Sequence, residues 1–444
     1  MSRHRIALAG AMTAALLLVT GPGTAAAPVV PTVNGAADAG APAASVPRTL
    51  DMVTVFQTGP LTAAVQAAAL AAAADVDAPA VVGRGFTAVL TRVRRGSTVI
   101  QVQEAPGWGF PMAVTALPIT AIGAVMGRVN SGIIAQGQVV MGQTSAGIRG
   151  AQAGDTLDLV SPSGVARTFT IGRIAPDAEV GGTEIVMSTQ QADLLGATIP
   201  TRVLIYGPAD RAALQTALLA RGVYGNSKAR VRTTWDAPDP DETLGMAETK
   251  AVMGEFDFNY AAITNSGWVA MSAVWKAQYL PTRDTYPTGI KAMCNVTMKG
   301  DLRAALTDVV NAGLGGLIDV ANVNSAGGCG TGSVRYARIT QSLGSISRHS
   351  WGQPIDMNTT TNVQGGTPHM DCRIVRIFRK HNFAWGGNFL TSDGMHFEWV
   401  GQERDTLQYP SKYCPNLPPA ATQGTVRPAP SRATFFVEDG GSGE

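Results

Sequence analysis

A chain of 444 residues has room for two or three domains and ample core. Its formal charge of +2, with charged residues at 15%, offers no basis for holding a polyanion, so a nucleic-acid partner is set aside. Alanine and glycine raise the apolar share without many large side chains, which places the protein among soluble globular chains.

Residues 1–27 read as an export signal. Arg3, His4 and Arg5 form a basic start, Ile6 to Val19 is an apolar run short for a bilayer, and Ala25 to Ala27 are small residues for cleavage. An uncleaved anchor is the competing reading, and Pro28 disfavours cutting after Ala27. Residues 28–48, rich in Ala, Pro and Gly, read as a linker.

An N-terminal domain is expected over 49–235. Leu61 to Ala74 has helical propensity. Phe86 to Val93 and Ser97 to Gln103 alternate around Arg95-Gly96 as a hairpin, and Thr156 to Val160 with Arg167 to Ile174 make a second. The period then changes: strand Glu184 to Met187, helix Gln190 to Leu195, strand Arg202 to Tyr206, helix Ala209 to Arg221, strand Val231 to Thr234. That run predicts a small α/β sandwich with helices on one face of a sheet. The region holds no His and no Cys, and its acidic residues lack motif spacing, so a structural or partner-binding module is expected. Residues 236–245, with Pro238 and Pro240, read as an acidic, stiff connector.

In the C-terminal domain, 246–415, Asp301 to Ala312 carries apolar residues at helical spacing and Gly313 ends it. Leu317 to Val323 is a strand candidate. Asp371 to His381 reads as an amphipathic helix whose arginines face solvent. Residues 416–444, rich in Pro, Ala, Gly and Ser, are expected to lack a fold. The fold class expected is therefore α+β, a C-terminal domain with a small antiparallel sheet preceded by the α/β sandwich. All four cysteines lie in the C-terminal part. An even count in an exported chain points to two disulfides, with three pairings open, and the absence of Cys-x-x-Cys argues against a cysteine zinc site.

The chemistry concentrates between His349 and His396, which hold four of the five histidines. Gly352 and Pro354 lie between His349 and Asp356, so those two side chains are expected to meet across a turn. Asp393 precedes His396 by three residues, and Phe397, Trp399 and Val400 suggest that a strand follows. Two imidazoles and one carboxylate suit Zn²⁺ and leave a coordination position for water. Asp393 is then available as a general base. Trp351 and Trp385 are candidates for walling a substrate cleft, with buried packing as the other reading. His381 and His369 read as structural and surface residues.

The pattern Ser347-x-His349-x-x-Gly352-x-x-x-Asp356, Trp385-Gly386-Gly387, then Asp393-x-Met395-His396-Phe397-Glu398 resembles the VanY-like zinc D-Ala-D-Ala carboxypeptidases. Their relatives, the L-alanyl-D-glutamate peptidases of the LAS type, share it. The resemblance extends upstream through Gly254-Glu255-Phe256, Cys294, Gly328-Cys329 and Arg335/Arg338, covering about residues 246–415. It implies a zinc peptidase fold and hydrolysis of peptidoglycan stem peptides. His349, Asp356 and His396 are the implied metal ligands, Asp393 the implied base, and Arg335 the implied oxyanion stabiliser, with Arg338 as the alternative. Ser347 is implied as a substrate contact, with a turn hydroxyl as the alternative. The same resemblance favours the pairings Cys294–Cys329 and Cys372–Cys414. Pro354 departs from the family, which usually has Ala two before the ligand Asp. The N-terminal region faintly resembles the extracytoplasmic domains of MacB/FtsX-type permeases, which would imply a membrane or envelope partner. The alternative function is a non-catalytic, exported cell-wall-binding or scaffold protein.

Overall fold

The computed structural model describes residues 50–161, 163–225, 228–262, 268–330, 334–337, 345–417 and 435–436. The expected signal and linker lie outside the described residues. Ten strands make up the first part of the chain: β1 (Met52–Phe56), β2 (Ala80–Arg95), β3 (Thr98–Val102), β4 (Phe110–Leu117), β5 (Val139–Gly142), β6 (Thr156–Val160), β7 (Ala166–Ala175), β8 (Ile185–Ser188), β9 (Arg202–Tyr206) and β10 (Arg230–Thr233).

Six of them close into a mixed barrel. β2 pairs antiparallel with β4, β4 runs parallel to β8, β8 pairs antiparallel with β5, and β5 runs parallel to β7. β7 pairs with β6, and β6 returns antiparallel to β2. Closure depends on β2, whose 16 residues serve successive partners: Ala80 to Gly83 pair with β9, Arg84 to Leu90 with β4, and Val89 to Arg94 with β6. A register shift between Leu90 and Arg92 bends it at the barrel wall, as bulges do. Leu90, Met112, Val139, Met141, Leu157, Phe169 and Ile185 fill the interior.

Of the remaining strands, β3 pairs separately with β2, and β9, β1 and β10 extend β2 into a layer in the order β10-β1-β9-β2. Helices Ala63–Ala74 and Arg211–Ala220 cover one of its faces through Val65, Ala69, Ala72, Leu214 and Leu218. Thr62 and Asp210 cap these helices with their side chains. The expected hairpins and the strand and helix order hold, but the single α/β sandwich does not. β8 belongs to the barrel, whereas β9 and β10 flank β1. Chain order cannot reveal this, because β1 meets β9 and β10 across about 150 or more intervening residues and nothing local announces such a pairing.

The second core is built around a three-stranded antiparallel sheet, with Pro354–Asp356 and Phe383–Trp385 on either side of His396–Trp399. Helix Cys372–Lys380 lays Ile374, Val375 and Phe378 on it, and helix Lys299–Asn311 adds Leu302, Leu306 and Val309. Disulfides join Cys294 to Cys329 and Cys372 to Cys414, the pairing favoured above.

Two local expectations are corrected, at 320–325 and at Arg379. Residues Val320–Ser325 form a helix where a strand was expected, because the Asp319 carboxylate accepts from the Asn322 amide at 3.0 Å and caps a first turn. Arg379 does not face solvent: it is fully buried and pairs with Asp241 at 2.9 and 2.6 Å. Asp241 and Thr243, in the expected connector, are likewise buried. In the expected tail, Phe435 and Phe436 are buried against Leu117, Ile122, Val180 and Leu204, and the Phe436 amide donates to Gly181 O at 2.8 Å.

Between the barrel and the second core lies a buried group of four charges. Lys250 Nζ reaches Glu184 Oε1 at 2.9 Å and Glu255 Oε1 at 3.1 Å, while Arg149 pairs with both carboxylates. Two cations and two anions balance, as burial of charge requires.

Candidate metal centre

Sheet register starts the site. Strand Pro354–Asp356 pairs with His396–Trp399 so that Asp356 stands directly opposite His396, and cross-strand neighbours share a face. His396 Nδ1 lies 3.1 Å from Asp356 Oδ1. His349 arrives on the 3-10 turn Arg348–Trp351, which Ser347 caps by accepting from the His349 amide at 3.3 Å. Gly352 ends that turn at φ 63°, where a Cβ would come within 2.6 Å of Leu280.

Each imidazole is oriented from behind. His349 Nδ1 donates to the Cys329 carbonyl at 2.6 Å, and since a carbonyl only accepts, Nδ1 carries the proton and Nε2 presents its lone pair. That Nε2 lies 3.1 Å from Asp356 Oδ2 and is buried with no hydrogen-bond partner of its own. On the other side, His396 Nε2 sits 3.3 Å from Glu398 Oε2, leaving Nδ1 toward Asp356. One donor atom from each of His349, Asp356 and His396 lies within 4.8 Å of the others, and all three residues are buried.

Electrostatics fit the same picture. Burial resists charge on His349, yet the adjacent Asp356 carboxylate raises its pKa, and His396 is raised further by hydrogen bonds to Asp356 and Glu398. Burial would raise Asp356, but the two imidazoles hold it well below the usual carboxylate range. The pocket therefore favours positive charge between its ligands. A divalent cation would supply it and would satisfy His349 Nε2.

Asp393 is held at the edge of the same sheet. Its amide donates to Gly386 O at 2.8 Å, the His396 amide donates to Asp393 O at 3.2 Å, and Gln364 Nε2 donates to its Oδ2 at 3.2 Å. Trp385 Nε1 donates to Gly394 O at 2.9 Å, fastening the turn from below. The Trp-Gly-Gly run has a steric reason. A Cβ on Gly386 would fall 2.6 Å from the Asp393 carbonyl and 3.0 Å from His396 Cβ, and one on Gly387 would enter the Trp385 ring. Gly386→Ala should therefore displace Asp393 and His396 together. The expected result is metal retention weaker than that of wild type, measured by elemental analysis of the zinc-loaded protein.

Residues 340–399 match a D-alanyl-D-alanine carboxypeptidase family model. This carboxypeptidase family match spans the cluster from His349 to His396 and extends through Trp399. The cluster has the donor set of a zinc centre in the M15 peptidases to which that family model belongs, and the family implies a peptide substrate. No curated protein matches the chain.

The other site expectations fall out unevenly. Trp351 and Trp385 are fully buried, the first packed on Phe256 with centroids 4.6 Å apart and donating to Gly254 O at 3.1 Å. Ser347 is 2% exposed and spends its hydroxyl on the turn. All three are buried, as the packing and turn-hydroxyl alternatives given above have it. Arg335 lies on strand Val334–Ala337, whose backbone pairs with 268–269 and 345–346. The Arg335 side chain and all of Arg338 lie outside the described residues. His381 meets Asp308 at 2.9 Å, away from the cluster.

Glu398 was given no role from sequence. Its signal was present: in a strand, residues two apart share a face, so Glu398 follows His396 onto the metal side while Phe397 turns to the core, 4.5 Å from the Phe378 ring. Arg348 Nε, also buried, stands 3.8 Å from Glu398 Oε1.

Proposed function

We propose that this protein is an extracytoplasmic zinc peptidase that hydrolyses peptidoglycan stem peptides, either trimming the terminal D-Ala or cutting the L-Ala–D-Glu bond. The observation that carries this reading is the convergence of His349, Asp356 and His396 on one buried point with the Asp393 turn attached to the same strand. His349 Nε2, Asp356 and His396 Nδ1 would hold the ion. Zinc, when bound, supplies Lewis acidity that polarises a carbonyl and acidifies water. Asp393 takes a proton from the attacking water and hands it to the leaving amine. Glu398 and the Cys329 carbonyl keep both imidazoles in register, the service that outer partners render to metal-binding histidines. An arginine, Arg335 by preference over Arg338, would steady the oxyanion, a contribution of about 10²–10³ in rate by analogy with oxyanion-hole donors.

Two disulfides in the described residues support an oxidising, extracytoplasmic compartment. No helix among the described residues is long and apolar enough to cross a membrane. The N-terminal part is taken as a module that contacts an envelope partner.

The test is mass spectrometry of purified muropeptides after incubation with the zinc-loaded protein. Loss of one terminal alanine, or appearance of a stem cut after L-Ala, supports the reading and names the scissile bond. Peptides retained on the protein but uncut would identify a binding protein instead. His349→Ala and His396→Ala should each abolish stoichiometric zinc, measured by elemental analysis. A fully metallated His349→Ala protein would refute the ligand set.

A further inference from the structure

Asp241 lies more than a hundred residues before Asp393 in sequence, in a stretch that reads as a connector, and outside the span of the family match. It is 3% exposed, and its carboxylate is used on both oxygens. Oδ1 accepts from Arg379 Nε at 2.9 Å and from the Trp385 amide at 2.9 Å. Oδ2 accepts from Arg379 Nη2 at 2.6 Å and from Asn388 Nδ2 at 2.7 Å. One buried carboxylate thus grips both ends of the Trp385 to Asn388 segment and the helix beneath it.

That segment is the floor of the Asp393 turn. Gly386 O accepts the Asp393 amide at 2.8 Å, and Gly387 O accepts the Ser392 hydroxyl at 2.7 Å. Asn388 is pinned further by exchanging hydrogen bonds with the Tyr413 backbone at 2.8 and 3.0 Å, next to the Cys372–Cys414 disulfide. From the layer beside the barrel, β10 contributes Arg230, whose Nη1 donates to Asn388 O at 3.0 Å and whose Nη2 pairs with Asp239 at 2.9 Å. Thr58, beyond β1, meets Thr391 at 3.0 Å.

We propose that Asp241 is a positioning residue for the loop that carries Asp393, acting through Trp385 and Asn388. The inference rests on the peptidase reading and deepens it: the N-terminal part and its connector are components of the catalytic apparatus, holding the base at working distance. Neither Asp241 nor Asn388 touches the metal ligands, so their loss should move the base and leave zinc in place.

The experiment compares full-length wild type, Asn388→Ala and Asp241→Asn, each zinc-loaded, on one stem peptide. Asn388 is only partly buried, so Asn388→Ala keeps the Asp241–Arg379 pair intact and is the variant safest to fold. It should hold zinc at the wild-type level, keep KM within about twofold and lose about 10–10²-fold in kcat, the scale of a small misplacement of a reacting group. Asp241→Asn keeps an oxygen for the Trp385 amide but turns an NH2 toward Asn388 Nδ2 and Arg379, so it should lose at least as much kcat as Asn388→Ala, and a folded, metallated Asp241→Asn protein with wild-type kcat overturns the proposal. Hydrogen exchange at the Asp393 amide should accelerate in Asn388→Ala. A folded, metallated Asn388→Ala protein with wild-type kcat and unchanged exchange at Asp393 overturns the proposal. A kcat that falls only in step with zinc content overturns it as well. If wild type cuts no stem peptide, the peptidase reading fails by itself, and the exchange rate at Asp393 still decides whether Asn388 positions that loop.

Discussion

Asp393→Asn should leave a protein that binds zinc like wild type and turns over peptide about 10²–10⁴-fold more slowly, the usual contribution of a positioned acid-base group. The substitution keeps size and shape, so the hydrogen bond that the backbone amide of residue 393 donates to Gly386 O and the turn into His396 should survive. What it removes is the capacity to accept a proton and return it. Because the three metal donors come from other residues, metal content and turnover are separable here in a way they are not for His349 or His396. Elemental analysis and single-turnover kinetics on the same preparation check both halves. Loss of metal in Asp393→Asn would mean that Asp393 is a ligand and that the base must be sought elsewhere.

Lys250→Met should destabilise the fold by about 3–5 kcal/mol, the cost of leaving a buried charge without its partner. Lys250, Arg149, Glu184 and Glu255 all have side chains at 7% exposure or less, and removing one cation leaves two carboxylates facing one guanidinium. Chemical denaturation measures the loss. The double variant Lys250→Met/Glu255→Gln should recover part of it, since charge balance returns. The pH dependence has a defined sign. Burial pushes Glu255 up, but Arg149 and Lys250 outweigh it and set its folded pKa below the ordinary 4.5. Its contribution is therefore complete above that ordinary value and is lost as pH falls toward the lower folded value. In Lys250→Met one of the two cations is gone, so the variant should lose less additional stability on acidification than wild type. A parallel acid response in the two proteins would show that the group does not act as a charge network.

Much of the candidate site was legible because its chemistry is spelled in short spans. His349 and Asp356 are separated by a turn that Gly352 and Pro354 announce. Asp393 and His396 sit on one tight turn, and Phe397 and Trp399 mark the strand. The helices at 63–74, 299–311 and 372–380 and both hairpins follow from periodicity and caps that act within a few residues. Where the reading failed, the deciding partner was distant. Arg379 looks like one more arginine on a basic helix until Asp241, 138 residues earlier, is folded against it. Val320 to Val323 carries the residues of a strand, and one capping carboxylate turns it into a helix.

By itself the sequence pointed to the three side chains that come together at His349, Asp356 and His396, to four cysteines available to pair, and to ten of the strands and helices in the first 235 residues, because these depend on residue type and near-neighbour spacing; it passed over the strands at 52–56, 110–117 and 139–142 and the helices at 119–125 and 128–135. Only the tertiary structure decided that β2 bends to close a barrel, that β8 and β9 part company, that Trp351 and Trp385 are buried, and that Asp241 reaches the Asp393 loop. Those outcomes are set by pairings across long stretches of chain, where burial of an apolar face or a charge selects among partners that local pattern leaves equivalent.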